Sequence, residues 1–264
     1  MNILCIGDIV GKPGRQAFQG LIKGLKKEFA IDFVVVNAEN AAGGAGLTSK
    51  IAQELLESGG DVLTLGDHVW DQKELEEYLQ ETEEVIRPAN FPNGAPGKGW
   101  CIRQTSSGKK VGVVNLLGRV FMRYSVECPF RALRQIVGEI KKETNVILVD
   151  FHAEATSDKQ LMGRYLDGKV SAVLGTHTHV PTADEQLLPG GTAFQCDVGM
   201  TGPYESILGR RIDRVLETTV TGCPTPFDVA TDDIRLAGAI VDIDEESGHA
   251  TAIRRICLRL DDID

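Results

Sequence analysis

The sequence has a deficit of positive charge, few aromatic residues and no long hydrophobic run. Lys and Arg together number 28 against 38 Asp and Glu, which gives a formal net charge of −10. This balance argues against general binding to nucleic-acid backbones or anionic membranes, because both need a positive surface potential. No apolar stretch approaches the roughly 18–20 residues that span a bilayer. We therefore expect neither a membrane protein nor a general nucleic-acid binder.

The sequence also shows no paired-cysteine motif and no signal-peptide pattern. The six cysteines form no C-x-x-C pair and no zinc-finger spacing, and several lie inside apolar runs, as in "NILCIG" and "AFQCDVG". Reduced, mostly buried thiols in a cytoplasmic protein are the expected state. The start, "MNILCIGDIVGKPGR", has no charged segment before its apolar run, so it predicts a strand and a turn and not a signal peptide.

The 264 residues could form one large domain or two small ones. The sequence contains no internal repeat, no low-complexity linker and no clear boundary. A single domain over residues 1–264 is predicted.

Short apolar runs alternate with helical patterns in the N-terminal half. The runs "NILCIG", "DFVVVN" and "DVLTLG" predict strands. Helices are predicted over residues 15–29, from a cap at Thr48 to Gly59, and around 73–79. This order predicts an α/β layered fold whose functional loops follow the carboxyl ends of the strands.

The rest of the chain continues the pattern and then becomes richer in strands. "RPANFPNGAPGKGW" predicts a long loop, and a helix is predicted near 131–142. "DEESG" predicts a hairpin turn between "RLAGAIVDID" and "TAIRRICLRL". The remaining predicted strands are 101–104, 110–117, 146–150 and 170–174.

Polar motifs follow five of the predicted strands. One such motif would be weak evidence, because Asp and Asn at a strand end often cap the next helix. Five motifs together supply carboxylates, an amide and imidazoles, which are ligands of hard-to-borderline metals. Four of the five histidines fall in these motifs. The motifs are "GDIVG" with Asp8, "NAEN" with Asn37, Glu39 and Asn40, "GDHVWD" with Asp67, His68 and Asp71, "VDFHAEAT" with Asp150, His152 and Glu154, and "GTHTH" with His177 and His179.

These blocks resemble the signature of calcineurin-like metallophosphoesterases. The longer strings "NAENAAGGAGLT", "RPANFPNGAPGKG", "DFHAEATSDK", "GTHTHVPTADEQLLPGGTAF" and "DVGMTGPYESILG" are similar to the YmdB-type subgroup, and the likeness runs from residue 1 to about residue 260. The resemblance implies a four-layer αββα sandwich. It also implies a binuclear metal centre that hydrolyses cyclic nucleotides by attack of a metal-activated hydroxide on phosphorus.

The resemblance also assigns roles to individual residues. It implies that Asp8, Asn40 and His179 bind one metal ion and that Glu39 bridges both ions. Position 67, His152 and His177 match the ligands of the second ion, and His68 matches a catalytic residue over the substrate. The implied cofactors are two metal ions, with iron and manganese expected and magnesium and zinc as alternatives.

Two positions depart from the superfamily pattern. The histidine that usually follows the first aspartate by two residues is Val10 here, and Asn40 is expected to take its place, as in the YmdB-type subgroup. Asp67 occupies the position that is asparagine in the usual GNH block. With this aspartate, the formal charges of three carboxylates, a hydroxide and two divalent ions cancel. Asp67 should therefore weaken attraction for a phosphate anion or favour one trivalent iron, and both readings stay open.

Several functional readings stay open as well. The substrate class is 2′,3′-cyclic nucleotides, with 3′,5′-cyclic nucleotides or another small phosphodiester as further candidates. The alternatives are a phosphomonoesterase and a weak or inactive scaffolding protein that keeps the fold. A homo-oligomer is also left open.

For a few residues near these motifs, structural and functional roles are balanced. Glu154 is expected either to orient His152 or to pair with a nearby base. Arg119, Lys12 and Arg15 are candidates for phosphate contact or for surface ion pairs. Trp70 is expected to stack on a base or, more commonly for such a residue, to pack inward.

Overall fold

The computed structural model describes residues 1–262, so the last two residues of the predicted 1–264 domain lie outside the described part. Within that part, no helix is both long and apolar enough to cross a membrane. The helices are α1 (Gly11–Glu28), α2 (Ser49–Ser58), α3 (Leu75–Glu81), α4 (Pro129–Ile140), α5 (Thr156–Leu166) and α6 (Ile212–Thr221), with a closing 3₁₀ turn at Leu260–Asp262. The strands are β1 (Asn2–Ile6), β2 (Asp8–Ile9), β3 (Phe33–Asn37), β4 (Val62–Thr64), β5 (Val85–Ile86), β6 (Trp100–Gln104), β7 (Lys110–Leu117), β8 (Ile147–His152), β9 (Ala172–Thr176), β10 (Gln186–Leu187), β11 (Ala193–Gln195), β12 (Met200–Pro203), β13 (Ile234–Ile243) and β14 (Ala250–Arg259).

The strands form two mixed sheets. The first has the order β2-β12-β13-β1-β3-β4-β5, and β14 pairs with β13 off this path. Its β1, β3 and β4, the three strands of the predicted β-α-β-α-β pattern, are parallel, and the short β5, which was not predicted, continues them in parallel. The second sheet has the order β10-β11-β9-β8-β7-β6, with parallel pairing from β7 to β11 and antiparallel strands at both edges.

Three apolar clusters lie on the faces of these sheets. Alternation along β3 shows how they are divided, because neighbouring strand residues point to opposite faces. Val34 and Val36 join the cluster that contains Phe18 of α1 and Leu55 of α2. Phe33 and Val35 belong to the cluster shared with the second sheet, whereas the other face of that sheet packs with α4 and α5.

The observed helices differ from the predicted set at three places. Helix α1 begins at Gly11, four residues before the predicted start, and Pro13 lies in its first turn, where a missing N–H costs no hydrogen bond. Helix α5 was not predicted, because Lys159 interrupts the apolar stripe on its buried face. Helix α6 was not predicted either, and it has no buried residue.

The predicted cap of α2 is confirmed and gives a test of local stability. The Thr48 hydroxyl accepts a hydrogen bond from the Ile51 N–H at 3.2 Å. Thr48→Ala should lower the free energy of unfolding by about 0.5–2 kcal/mol, since it leaves that donor without its cap. Thr48→Ser, which keeps the hydroxyl, is the matched control. Urea unfolding measures the difference, and equal midpoints for Ala and wild type would contradict the role of the cap.

Candidate metal centre

The carboxyl ends of strands from both sheets bring the predicted motifs together. Glu39 and Asn40 follow β3, and Asp67 and His68 follow β4. The other predicted ligands are Asp8 in β2, His152 at the end of β8, and His177 and His179 just after β9. All of them lie within one continuous set of contacts.

One group of ligand atoms surrounds the ring of His152. Glu39, Asp67, His152 and His177 each offer one atom, and these atoms lie within 4.8 Å of one another. His152 Nε2 is 3.1 Å from Glu39 Oε1 and 3.2 Å from Asp67 Oδ1. His177 presents Nδ1 to this group, 3.0 Å from His152 Nε2. The set has the composition of a metal site with carboxylate and imidazole ligands.

A second group adjoins the first through Glu39. The Asn40 amide lies 2.9 Å from Glu39 Oε1 and 3.2 Å from His179 Nε2. His179 Nε2 is in turn 3.7 Å from Asp8 Oδ1. Because His179 Nδ1 faces the Leu208 carbonyl at 3.1 Å, it carries the proton and Nε2 is free to bind a cation.

Asp8 is the residue whose environment fits a cation best. Its carboxylate is fully buried, and among the described residues Oδ1 has no hydrogen-bond partner, whereas Oδ2 accepts from the His177 N–H at 3.2 Å. Burial raises the pKa of Asp8 to about 7. A buried carboxylate oxygen without a donor is costly unless a cation binds there. The donor set therefore fits a metal ion.

The remaining charges are balanced within the cluster. Burial alone would raise the pKa of Glu39 and of Asp67, but the imidazole of His152 outweighs it and lowers both, with His177 adding to the effect at Asp67. The same carboxylates overcome burial and raise the pKa of His152 well above its usual value. Burial lowers the pKa of His179 and favours its neutral form. A metal ion would take the place of the protons that now separate these carboxylates.

A hydrogen-bonded network behind His152 fixes its ring. The Thr176 hydroxyl donates to Asp150 Oδ1 at 2.7 Å, so its oxygen accepts from His152 Nδ1 at 2.9 Å. Nε2 is thereby turned toward Glu39 and Asp67. Asp150 also accepts from the Asn37 amide at 3.1 Å and from the Thr64 hydroxyl, which joins the two sheets. Such partners hold the tautomer and direction of a metal-binding histidine.

Only a weak signal for that network is present in the sequence. Thr64 and Thr176 are polar residues at the last position of otherwise apolar strands, which does not by itself predict a role. Asp150 was recognised as part of a motif, but its partners lie on other strands.

His68 lies beside the metal-ligand groups and has its own supports. Its N–H donates to Glu39 Oε2 at 3.1 Å, and its Nδ1 is 2.7 Å from Asp71 Oδ2. Arg123 donates to Asp71 Oδ1 at 2.8 Å and holds that carboxylate in place. With Nδ1 engaged, Nε2 is the nitrogen available to a substrate.

Trp70 packs edge-on against Phe91, with ring centroids 5.6 Å apart, in agreement with an inward structural role.

The structure favours one of the two alternatives for several other residues near the motifs. Glu154 does not orient His152 but pairs with a nearby basic side chain, since its Oε2 lies 3.2 Å from His177 Nε2. Arg15 donates to the Ala41 carbonyl at 2.6 Å and lies 4.0 Å from Glu54, which favours a structural role. Lys12 lines a separate surface depression beside Phe227, and Arg119 is exposed.

A cleft of about 440 Å³ opens above both groups of ligand atoms. Glu39, Asn40, His68 and the two histidines of "GTHTH" line one side. The opposite wall comes from the segment between β12 and β13 and is largely apolar, with Ile207, Leu208, Val215 and Phe227. Arg210 anchors this wall by donating to the carbonyls of Gly43 and Phe227 at 3.2 and 2.9 Å.

Comparison with known proteins gives one consistent result. The family model described as "YmdB-like protein" matches residues 4–256. A 2′,3′-cyclic-nucleotide 2′-phosphodiesterase of Bacillus subtilis is 45% identical over 261 residues, which cover 99% of this chain and 98% of that protein. A hypothetical protein from Thermus thermophilus has a crystal structure that is similar with a TM-score of 0.91 and 41% identity, over 98% of this chain and 99% of that one. A phosphatase from Mycoplasma pneumoniae is similar with a TM-score of 0.91 and 31% identity, over 98% and 93% of the two chains.

Because one oxygen of Asp8 has no hydrogen-bond partner among the described residues, replacement of Asp8 should change stability in opposite directions in the metal-free and the metal-bound protein. Asp8→Asn should stabilise the metal-free protein by about 1–3 kcal/mol, because it removes a buried charge while its carbonyl oxygen can keep the bond from His177. With metal ions at about a thousandfold excess over Kd, the wild type should gain about 4.1 kcal/mol, and the ranking should reverse. Thermal unfolding at about pH 8, with chelator and with metal, measures both.

The pH dependence and a control sharpen this test. Native Asp8 keeps its proton up to a pKa of about 7, whereas the unfolded chain loses it near 4, so wild-type stability falls as pH rises through that window. The advantage of Asp8→Asn should therefore grow from about pH 4 to 7. Asp150→Asn is the matched control, because the Asp150 oxygens already have donors and the change should destabilise both states. A metal-free Asp8→Asn protein less stable than wild type at pH 8 would contradict the account.

Proposed function

The chain belongs to the YmdB-like family, and from this premise we propose that it is a metal-dependent phosphodiesterase that hydrolyses cyclic nucleotides, with 2′,3′-cyclic nucleotides as the main substrates. The observation that carries the proposal is the pair of adjoining ligand groups that meet at Glu39 beneath an open cleft. A relative of almost the same length carries the name of that activity.

We assign the two groups to two metal ions. Asp8, Asn40 and His179 would hold one ion, Asp67, His152 and His177 would hold the other, and Glu39 would serve both. Iron or manganese fits this mixture of carboxylates and imidazoles, with magnesium and zinc as alternatives. Ions bound in such a pair stabilise the phosphoryl oxygens and lower the pKa of a water that attacks phosphorus.

His68 supplies the proton to the leaving ribose oxygen. An alkoxide is a poor leaving group near neutral pH, so a positioned acid is needed. Asp71 fixes Nδ1 of His68, and the bond from its N–H to Glu39 ties it to the metal ligands. Nε2 then faces a substrate in the cleft as the donor.

The apolar wall of the cleft suits the nucleoside part of the substrate. Phe227 is 44% exposed and Leu208 is 50% exposed, although both line the cleft next to polar metal ligands. A nucleobase can cover such a surface by stacking, which tolerates different bases. We infer broad base specificity, with the phosphate held at the metal side.

The fold and its setting complete the proposal. The three apolar clusters, one between the sheets and one on each outer face, support a four-layer αββα sandwich. We take residues 1–264 as one metallophosphoesterase domain. A cytoplasmic location and a homo-oligomer stay predictions from the sequence.

Replacement of His68 tests the activity and its mechanism together. His68→Ala should lower turnover of 2′,3′-cyclic nucleotides by roughly 10²–10⁴-fold while metal content stays near that of wild type, because a general acid is lost and no ligand is removed. Hydrolysis of bis-p-nitrophenyl phosphate, whose leaving group needs no proton, should fall much less. Steady-state kinetics on both substrates, with metal analysis, make the comparison.

Three outcomes would speak against parts of this account. Equal losses on the two substrates would remove the acid role of His68. Turnover of phosphomonoesters but not of cyclic nucleotides by the wild type would favour a phosphomonoesterase. Metal-loaded protein that turns over none of these substrates would favour a scaffolding role. Asp71→Asn is a graded companion variant, since it weakens the support of His68 and leaves the ring in place.

Asp67 gives a second test, of charge at the centre. The rings of His152 and His177 hold the pKa of Asp67 below its usual range, so it carries a negative charge where the superfamily has a neutral asparagine. Asp67→Asn should lower the Michaelis constant for cyclic nucleotides, because one unit charge at about 4 Å contributes roughly 1–4 kcal/mol at effective dielectric constants of 80 to 20. It should also weaken binding of the ion shared with His152 and His177.

The oxidation state of the metal decides how that result is read. Iron spectroscopy should accompany the kinetics, because a trivalent iron opposite Asp67 would compensate its charge. An unchanged Michaelis constant with divalent ions in both variants would defeat the electrostatic explanation.

A further inference from the structure

The loop that carries two proposed ligands has an unusual backbone. His177 and His179 have φ angles of 97° and 64°, in the left-handed region that side chains other than glycine rarely adopt. Such conformations persist only where surrounding contacts determine them. The residue between the two histidines, Thr178, is therefore the point at which the loop must be held.

A buried carboxylate outside the proposed ligand set holds Thr178. Asp197 Oδ2 accepts from the Thr178 N–H at 3.0 Å and from its hydroxyl at 2.8 Å. Asp197 Oδ1 accepts from the Gly199 N–H at 2.8 Å. Both carboxylate oxygens are thus engaged by the protein, and Asp197 takes no part in the reaction proposed above.

A buried lysine accompanies this carboxylate. Lys159 of α5 donates to Asp197 Oδ2 at 2.7 Å, and each residue is only 1% exposed. The stem of Lys159 passes beside Gly175, where a Cβ would lie 2.9 Å from Lys159 Cδ. A buried ion pair is a poor source of stability, because desolvation of both charges offsets their attraction. Its position against the histidine loop gives it another use.

We infer that Asp197 is a positioning residue that fixes the His177–His179 loop through Thr178, and that Lys159 neutralises its charge. The inference rests on the proposed metal centre. Because the two histidines belong to different ligand groups, one contact at Thr178 sets both. Lys159 allows a carboxylate to do this near Asp8 without adding net negative charge to a site that must attract phosphate.

The test removes the hydroxyl bond to Asp197 from the loop side, so that the Thr178 N–H bond and the buried Lys159–Asp197 pair stay in place. Thr178→Val keeps the shape of the side chain and loses the hydroxyl donor, whereas Thr178→Ser keeps the donor. Thr178→Val should weaken both metal-binding steps by about 10–100-fold, the usual effect of losing a contact that orients a ligand, and Thr178→Ser should remain near wild type. Titration of the metal-free full-length protein with Mn²⁺ or Zn²⁺ against a competing chelator measures the affinities.

A buried threonine just before β11 provides the matched control. The Thr192 hydroxyl donates to the Val170 carbonyl at 2.6 Å, and within residues 1–262 no hydrogen bond joins this side chain to the histidine loop. Thr192→Val should lower stability in urea but leave both metal affinities unchanged. Wild-type metal affinity in Thr178→Val would overturn the positioning role alone. The same would follow if Thr178→Ser and Thr192→Val lost as much metal affinity as Thr178→Val. Failure of the wild type to bind either ion would overturn the proposed metal centre and this inference with it.

Discussion

Burial of carboxylates at the shared edge of two sheets is the constraint on which this structure depends. Four carboxylates there are each at most 8% exposed and lie at or within a few residues of strand ends: Asp8, Glu39, Asp150 and Asp197. Each needs a partner, since an unpaired buried charge is prohibitively expensive. Asp150 takes hydroxyls and an amide, Asp197 takes a lysine, and Glu39 takes an imidazole. One oxygen of Asp8 takes none among the described residues, and a cation at that point would satisfy it.

This division of partners also decides which groups remain free for chemistry. Asp150 and Asp197, which are satisfied by hydroxyls, amides or lysine, serve as supports, whereas Glu39 and Asp67 face imidazoles and belong to the candidate metal centre. The Thr176 hydroxyl illustrates the connection, because its single proton goes to Asp150 and thereby assigns the proton of His152 to Nδ1. Rigidity behind the site thus determines which nitrogen is presented in front.

The sequence predicted the elements that carry local signals. Apolar strands followed by Asp, Asn or His identified β1, β3, β4, β8 and β9, and Thr48 identified the start of α2. Helix α5 was not predicted, because its buried stripe includes Lys159, whose partner Asp197 lies 38 residues further along the chain. The same limit explains why two alternatives stayed open for Glu154 and why no role was predicted for Thr64 and Thr176. Pairings across sheets depend on the folded arrangement and leave no periodic trace in the chain.

Lysine and arginine side chains near the cleft offer little free positive charge. The protein is acidic overall, and among the described residues that line the cleft Arg210 is the only lysine or arginine. Its guanidinium is already bound to backbone carbonyls, Arg123 is paired with Asp71, and Lys159 is buried against Asp197. A phosphate anion approaching this cleft would therefore meet little free positive charge from side chains. Under the proposed function, attraction for such a substrate would come from the metal ions that we assign to the buried carboxylates and imidazoles.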